Sequence, residues 1–129
     1  MATSQNKDVV RRFITEVLSD GQIDRVDEFL APSYVNRAFG ADLPAFKAML
    51  SGMAGIVTER QFDLEELIAE GDAVVARYTG EMRLQDGKTV SVRGLTYYRL
   101  ADGKIVEDDP ITTPELAREL APLLAPATA

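Results

Sequence analysis

Three short turn signals divide the second half of the sequence into four extended segments, and this pattern constrains the fold more than any other feature. The signals occupy residues 70–72, 85–88 and 101–104, and each contains adjacent Asp and Gly. Asp-Gly pairs are typical of tight β-hairpins. The segments between the turns alternate apolar and polar residues and are rich in Val, Thr and Tyr, as half-buried strands are. We therefore predict antiparallel strands over residues 61–68, 73–82, 89–100 and 104–109.

The first half of the sequence predicts helices instead. Apolar residues recur at helical spacing over residues 7–18 and again over residues 23–30. Asp42 is a typical N-cap for a third helix, with Pro44 in its first turn. A short strand over residues 33–37 would connect the second and third helices.

A last helix is predicted after the strands, with Thr112 or Thr113 as its cap. Its apolar face would comprise Leu116, Leu120, Leu123 and Leu124. Helices followed by a run of strands indicate an α+β architecture. We predict a twisted antiparallel sheet whose concave face packs against the helices.

The composition narrows the chemistry available to the chain. The 129 residues carry a formal net charge of −7, which disfavours binding to nucleic acid. The sequence has no Cys, which excludes thiol nucleophiles and zinc–thiolate sites, and no His, the usual general base at neutral pH. Acid–base chemistry must therefore depend on Asp, Glu, Tyr, Lys or a bound water.

Length and hydropathy give expectations about organisation and location. The length suits one domain spanning residues 1–129. No apolar run approaches the roughly 20 residues that cross a bilayer. The N-terminus lacks the apolar stretch of a secretory signal. We expect a cytoplasmic protein that binds neither membrane nor nucleic acid.

Two segments carry a resemblance to a known family. Residues 67–78 (LIAEGDAVVARY) and 98–107 (YRLADGKIVE) resemble the SnoaL-like polyketide cyclase family of the NTF2-like superfamily, and residues 9–34 are also similar to it. The resemblance implies a cone-shaped α+β barrel, in which N-terminal helices pack on the concave face of a curved sheet around a pocket. It also implies no metal or organic cofactor, a small apolar ligand, and a homodimer formed through the convex face.

The family resemblance bears on two polar residues of the short strand. Many members carry a His where this sequence has Asn36. Tyr34 and Asn36 resemble instead the water-positioning pair of the limonene-epoxide-hydrolase branch, which combines them with an Arg between two Asp. Arg77 lies where that Arg would be, whereas Thr79 replaces the first Asp.

The acids at the end of the last strand are the candidate catalytic groups. Strict alternation places Glu107 and Asp109 on one face and Asp108 on the other. Two carboxylates in one apolar pocket would drive their pKa values apart, so that one serves as acid and the other as base. Arg77 would orient them, or it would be exposed on the convex face and pair with Glu81. The alternative is a solvated acidic strand end beside the N-terminus of the last helix.

The remaining candidates would shape the pocket around these groups. Tyr34 and Asn36 share a strand face and would stabilise an oxyanion or a water, although a core Tyr and a turn Asn are the simpler interpretation. The predicted substrate-binding side chains come from one strand and the third helix: Tyr98, Thr96, Phe46, Met49 and Met53.

Three functions are compatible with this pattern. The first is a cofactor-independent cyclase, isomerase or hydrolase that acts on an apolar polyketide-like or terpenoid-like molecule by carboxylate acid–base catalysis. The second is an enzyme that opens epoxides. The third is a ligand-binding module without catalysis, which would have at most one ionisable group directed into an apolar pocket.

Overall fold

The N-terminal half of the chain is helical, as predicted. The computed structural model describes residues 2–114, 116, 118 and 119. Helix α1 (Thr3–Arg12) is followed directly by a π-helical segment (Phe13–Ser19). Together they bury the predicted apolar stripe, of which Val10, Phe13 and Val17 are almost inaccessible to solvent.

The second and third predicted helices are also present. A 3₁₀ turn (Ile23–Arg25) leads into the short helix α2 (Val26–Phe29), and α3 spans Leu43–Ile56. Asp42 caps α3 as predicted, because its Oδ1 accepts a 3.0 Å hydrogen bond from the backbone N–H of Ala45. This cap satisfies one of the four N–H groups that a helix leaves without partners.

Six strands form one curved sheet that does not close on itself. Their order across the sheet is β2-β1-β6-β5-β4-β3. The strands are β1 (Leu30–Asn36), β2 (Ala41–Asp42), β3 (Val57–Glu70), β4 (Ala73–Leu84), β5 (Thr89–Ala101) and β6 (Lys104–Thr112). The α+β architecture with N-terminal helices and a hairpin-rich sheet is confirmed.

One strand pairing differs from the antiparallel prediction. The pairs β1–β2, β3–β4, β4–β5 and β5–β6 are antiparallel, whereas β1 and β6 are parallel. Hairpin turns enforce antiparallel pairing only between the strands that they join. Strand β1 is separated from β6 by most of the chain, so no turn sets their relative direction.

The turn between β5 and β6 shows why Asp-Gly predicts hairpins so well. Asp102 has a φ of 52° and Gly103 a φ of 79°. Two consecutive residues with positive φ are what a type I′ turn requires, and Gly and Asp tolerate this conformation best. The twist of that turn matches the twist of the two strands.

Among the register shifts in the sheet, two bulges bear on the predicted alternation of side chains. In the β5–β6 pair, Arg99 faces Glu107 while the next residue, Leu100, faces Ile105, so that Val106 has no partner. In the β3–β4 pair, Glu65 is bypassed in the same way. A bulge moves every later side chain to the opposite face. The predicted alternation through Ile68 is therefore wrong beyond Leu64, and Ile68 is exposed.

The two faces of the sheet differ in character. The inner face packs its apolar side chains against α1, the π-helical segment and α3. Among the described residues of the outer face, Ile68, Leu95 and Tyr97 are exposed large apolar side chains, and Ile111 is exposed as well although it also borders an internal cavity. The homodimer through the convex face stays a prediction.

The last helix begins where predicted. Pro114, Leu116, Arg118 and Glu119 are helical, and Leu116 is buried. Leu120, Leu123 and Leu124 lie outside the described residues. Within the described part of the chain, no helix combines the length and the apolar character needed to cross a membrane.

Candidate functional site

An apolar cavity of about 340 Å³ lies between the helices and the inner face of the sheet. The π-helical segment contributes Ile14 and Leu18, and π-helical turns are frequent at functional sites. The other lining residues come from α3, the strands, the loop after β1 and the last helix: Asn36, Ala38, Phe39, Phe46, Met49, Met53, Phe62, Tyr78, Thr96, Tyr98, Asp108, Pro110, Ile111, Thr112 and Leu116.

Asp108 is the carboxylate that reaches this cavity. It is only 5% exposed, and it lies on β6 between Asn36 of β1 and Tyr98 of β5. The bulge at Val106 accounts for its orientation, because without it the inward positions after Ile105 would be Glu107 and Asp109.

A chain of hydrogen bonds holds the Asp108 carboxylate. The Tyr34 hydroxyl donates to Asp108 Oδ2 at 2.8 Å, and Asn36 Nδ2 donates to the Tyr34 hydroxyl at 3.5 Å. Asn36 Oδ1 accepts from the backbone N–H groups of Ala38 and Phe39, at 3.0 and 3.2 Å. These two bonds fix which end of the Asn36 amide faces Tyr34.

The environment of Asp108 changes its proton affinity. Burial raises the pKa of its carboxyl from 3.8 to about 7. The hydrogen bond from Tyr34 lowers this pKa and the negative charge of Asp109 raises it, but burial is the largest effect. Both protonation states are therefore populated near neutral pH, as a general acid or base requires.

Three phenols lie around this carboxyl and stay neutral. Burial raises the pKa of Tyr34, Tyr78 and Tyr98, and the charge of Asp108 raises each of them further. The hydroxyls of Tyr78 and Thr96 are hydrogen-bonded at 2.9 Å. One hydroxyl hydrogen is used in this mutual bond, so the pair can donate the other one to a ligand oxygen.

Gly94 makes room for the Tyr78 hydroxyl. It faces Tyr78 across the β4–β5 ladder. A Cβ at Gly94 would lie 3.2 Å from the Tyr78 hydroxyl and only 2.7 Å from the carbonyl oxygen of Ile111. A side chain here would push either the phenol or strand β6, so the absence of a side chain helps to shape the cavity.

The structure places Arg77 on the outer face of the sheet, and the prediction that it enters the pocket is wrong. Its neighbours Ala76 and Tyr78 point inward, so alternation directs Arg77 outward. Its side chain is 56% exposed and pairs with Glu65 at 3.3 Å and with Glu66 at 3.6 Å.

Glu107 and Asp109 are also outside the cavity, contrary to the prediction. Glu107 is bound between Arg99, at 3.2 Å, and Arg37, at 3.3 Å. Asp109 is exposed on the outer face opposite Tyr97. Strict alternation failed here because it did not include the unpaired Val106.

Most of the other predicted site residues are where the sequence suggested. Asn36, Thr96 and Tyr98 line the cavity, whereas Tyr34 is not among the lining residues and donates its hydroxyl to Asp108. The α3 side chains Phe46, Met49 and Met53 form one wall. Sequence reasoning missed Asp108 and Tyr78. Tyr78 could have been found, because alternation along the strand places it on the same face as the apolar Val74 and Ala76.

Tyr34→Phe should raise the pKa of Asp108 further, by about one unit, because the lost hydrogen bond stabilises the ionised form. The pKa can be measured from the carboxyl ¹³C shift of Asp108 in an NMR titration. Tyr97→Phe removes a phenol hydroxyl from the outer face and should leave this pKa unchanged. An unchanged or lower pKa in Tyr34→Phe would contradict the bonding described above.

Among the described residues, no cluster of three or more acidic side chains could hold a metal ion. The cavity itself offers one carboxylate, one amide and several hydroxyls.

Comparison with known sequences identifies the family of this chain. The sequence model of the SnoaL-like domain matches residues 10–108, which is more than half of the chain. Among curated proteins, none matches the sequence.

Solved structures with the same fold extend over almost the whole chain. A protein from Acidithiobacillus ferrooxidans, proposed to be a polyketide cyclase, is 23% identical over 95% of this chain and 99% of its own, with a TM-score of 0.75. An NTF2-like protein of unknown function from Burkholderia pseudomallei is 17% identical over 93% and 98%, with a TM-score of 0.74. TerC, co-crystallised with polyporic acid, is 19% identical over 92% and 98%, with a TM-score of 0.72. The NTF2-like fold is therefore confirmed.

Proposed function

The chain belongs to the SnoaL-like domain family, and from this premise we propose that it is an enzyme that moves protons on an apolar small molecule. The reaction would be a cyclisation, an isomerisation or a hydrolysis of a polyketide-like or terpenoid-like substrate. Asp108 would be the general acid and base, without a cofactor. The Acidithiobacillus ferrooxidans protein, proposed to be a polyketide cyclase, and the TerC complex with polyporic acid support a small organic substrate.

One observation carries this proposal: a buried carboxyl with a pKa of about 7 faces an apolar cavity. Perturbed carboxyls of this kind concentrate at active sites, because catalysis requires a pKa near the working pH. The cavity volume of about 340 Å³ is within the range of small-molecule sites.

The neighbouring groups have distinct roles in this mechanism. Tyr34 occupies Oδ2 of Asp108, and within the described residues no group hydrogen-bonds Oδ1. Oδ1 would accept the substrate proton and later return it. Of the hydrogen-bonded hydroxyls of Tyr78 and Thr96, the one whose proton is not used in their mutual bond would donate to the oxygen on which negative charge develops. The apolar walls would exclude water and orient the carbon skeleton.

A non-catalytic binding module is the second candidate, and one observation favours it. That hypothesis predicted at most one ionisable group in an apolar pocket, and Asp108 is the one carboxylate among the described lining residues. One carboxyl can nevertheless serve as base and then as acid within a single cycle. Turnover by the wild-type protein therefore separates the two candidates.

An epoxide-opening reaction has weaker support. Tyr34 and Asn36 lie beside Asp108, where a water would be activated. Arg77, which that branch would place between two Asp, is on the opposite face of the sheet. Among the described lining residues, Asp108 would therefore be the one charged group available to catalyse an epoxide hydrolysis.

The test is a comparison of Asp108→Asn with Asp109→Asn. The substrates would be aromatic polyketone mimics and terpenoid epoxides, with products identified by mass spectrometry. We expect wild-type turnover of at least one compound and a loss of about 10²- to 10⁴-fold in Asp108→Asn, the typical contribution of a general acid or base. Asp109→Asn changes an exposed neighbour and should keep wild-type turnover. Full activity of Asp108→Asn would contradict the proposed role, and binding without any wild-type turnover would favour the binding module.

A further inference from the structure

We propose that this cavity preferentially binds molecules that have no ionised acid group. The proposal deepens the proposed function by naming the charge class of the substrate, and it rests on that function only for the choice of cavity. It predicts that an uncharged ketone binds more tightly than a carboxylate of the same size and shape.

The first argument is the charge inventory of the cavity. Among the described residues that line it, Asp108 is the one carboxylate, and none is Lys or Arg. Residues 1, 115, 117 and 120–129, which lie outside the described part, contribute no Lys, Arg or His side chain to the sequence. The cavity therefore has a negative group without a side-chain cation to balance it.

The second argument is where the nearby cations are held. Arg37 and Arg99 both pair with Glu107, which lies outside the cavity. Arg60 is two residues from Phe62 on β3, but its guanidinium lies against Gly21, at 2.7 Å from the position of a Cβ there, and it is not part of the lining. In this arrangement, none of the three guanidinium groups borders the cavity.

The physical consequence is an asymmetry between ligands. Two carboxylates close together in a medium of low dielectric constant repel each other strongly, so one must take up a proton before both can be accommodated. An uncharged carbonyl can instead accept a hydrogen bond from protonated Asp108 or from the Tyr78 and Thr96 hydroxyls. The apolar walls would contribute equally to both ligands.

The experiment compares 2-acetylnaphthalene with 2-naphthoate at about pH 8, where free carboxylic acids are fully ionised. Dissociation constants would be measured by ¹H–¹⁵N NMR titration, in which the amide shifts of Asn36 and Thr96 show whether the probe occupies the cavity. For the wild-type protein we expect the ketone to bind at least about tenfold more tightly than naphthoate, which corresponds to about 1.4 kcal/mol.

Two variants identify the source of the preference. Asp108→Asn keeps the shape of the side chain and removes its charge, and it should reduce the ratio to about threefold or less. Asp109→Asn removes the adjacent charge from the outer face and should leave the ratio unchanged.

The proposal is overturned if naphthoate binds the wild-type cavity as tightly as the ketone, if the ratio persists in Asp108→Asn, or if neither probe binds there. The assay measures binding without turnover, so its result is independent of the catalytic role. If the cavity selects against charge but Asp108→Asn keeps full turnover, only the proposed function is contradicted. Loss of turnover without charge selection would remove only this inference.

Discussion

Replacing Asp108 with Asn is expected to raise the free energy of unfolding at pH 8, with about 4 kcal/mol as the upper limit, because a shift of one pKa unit is worth about 1.4 kcal/mol and the N–H₂ group of a buried Asn needs partners of its own. Burial raises the pKa of this carboxyl from 3.8 to about 7, so the folded state binds the proton more tightly than the unfolded state does. Ionisation of Asp108 therefore opposes folding. Asn keeps a similar shape and can still accept the hydrogen bond from Tyr34, but it has no charge to desolvate.

The sign of the effect sets its pH dependence. Below about pH 4 the carboxyl is protonated in both states and Asp108 imposes no electrostatic penalty. Stability then falls as the pH rises from about 4 to about 7, the interval in which only the unfolded state has lost the proton. Above pH 7 the penalty is constant. The stability difference between Asp108→Asn and wild type should grow across this interval and then level off.

Urea denaturation of wild type, Asp108→Asn and Asp109→Asn at several pH values provides the measurement. The other titrating groups are common to all three proteins and cancel in the differences. Asp109→Asn removes only the smaller contribution of the neighbouring charge to the Asp108 pKa, so its curve should depart from wild type in the same direction but far less than that of Asp108→Asn. Two results would contradict a buried Asp108 carboxyl with a raised pKa. One is an Asp108→Asn variant less stable than wild type at pH 8, and the other is a stability advantage that is the same at every pH.

A stabilising Asp108→Asn would also bear on function. A buried carboxyl that lowers stability breaks a local rule of protein folding, and residues of this kind are expected at functional sites. The same substitution should then stabilise the fold and abolish turnover. If the ionised Asp108 had a purely structural role, the protein would instead lose stability when this charge is removed.

The features that the sequence predicted well depend on local chemistry. Asp102 and Gly103 can adopt the two positive φ values of their turn regardless of distant residues, so the β5–β6 hairpin follows from a dipeptide. Asp42 caps α3 for an equally local reason. Apolar spacing placed Phe46, Met49 and Met53 on one helix face, and that face became a cavity wall.

The features that the sequence did not predict depend on partners distant in the chain. Val106 is unpaired because of the register between β5 and β6, and nothing in its own side chain marks a bulge. Because of this one unpaired residue, Asp108 faces inward in place of the predicted Glu107 and Asp109. The direction of β1 against β6 and the outward orientation of Arg77 were likewise decided by sheet pairing.

Phe13→Ala is expected to lower the free energy of unfolding by about 3–5 kcal/mol, the usual loss for a buried Phe. Phe13 is fully inaccessible to solvent. Its ring centroid lies 6.2 Å from that of Phe29, 6.4 Å from Phe46 and 6.3 Å from Tyr98. It therefore joins the N-terminal helical region to α2, α3 and β5. The void left by Ala could be filled only by moving several elements together.

Phe39→Ala is the matched control, because it deletes the same side chain from a half-buried position in the loop after β1. Phe39 lines the cavity, so this variant should weaken binding of 2-acetylnaphthalene while losing less than about 2 kcal/mol of stability, since the cavity term of a fully packed site is absent. Phe13→Ala should also weaken binding, because Phe46 and Tyr98 pack on Phe13 and form part of the cavity wall. Urea denaturation measures both stability losses. Equal losses in the two variants would mean that Phe13 is not the packing centre on which the shape of the cavity depends.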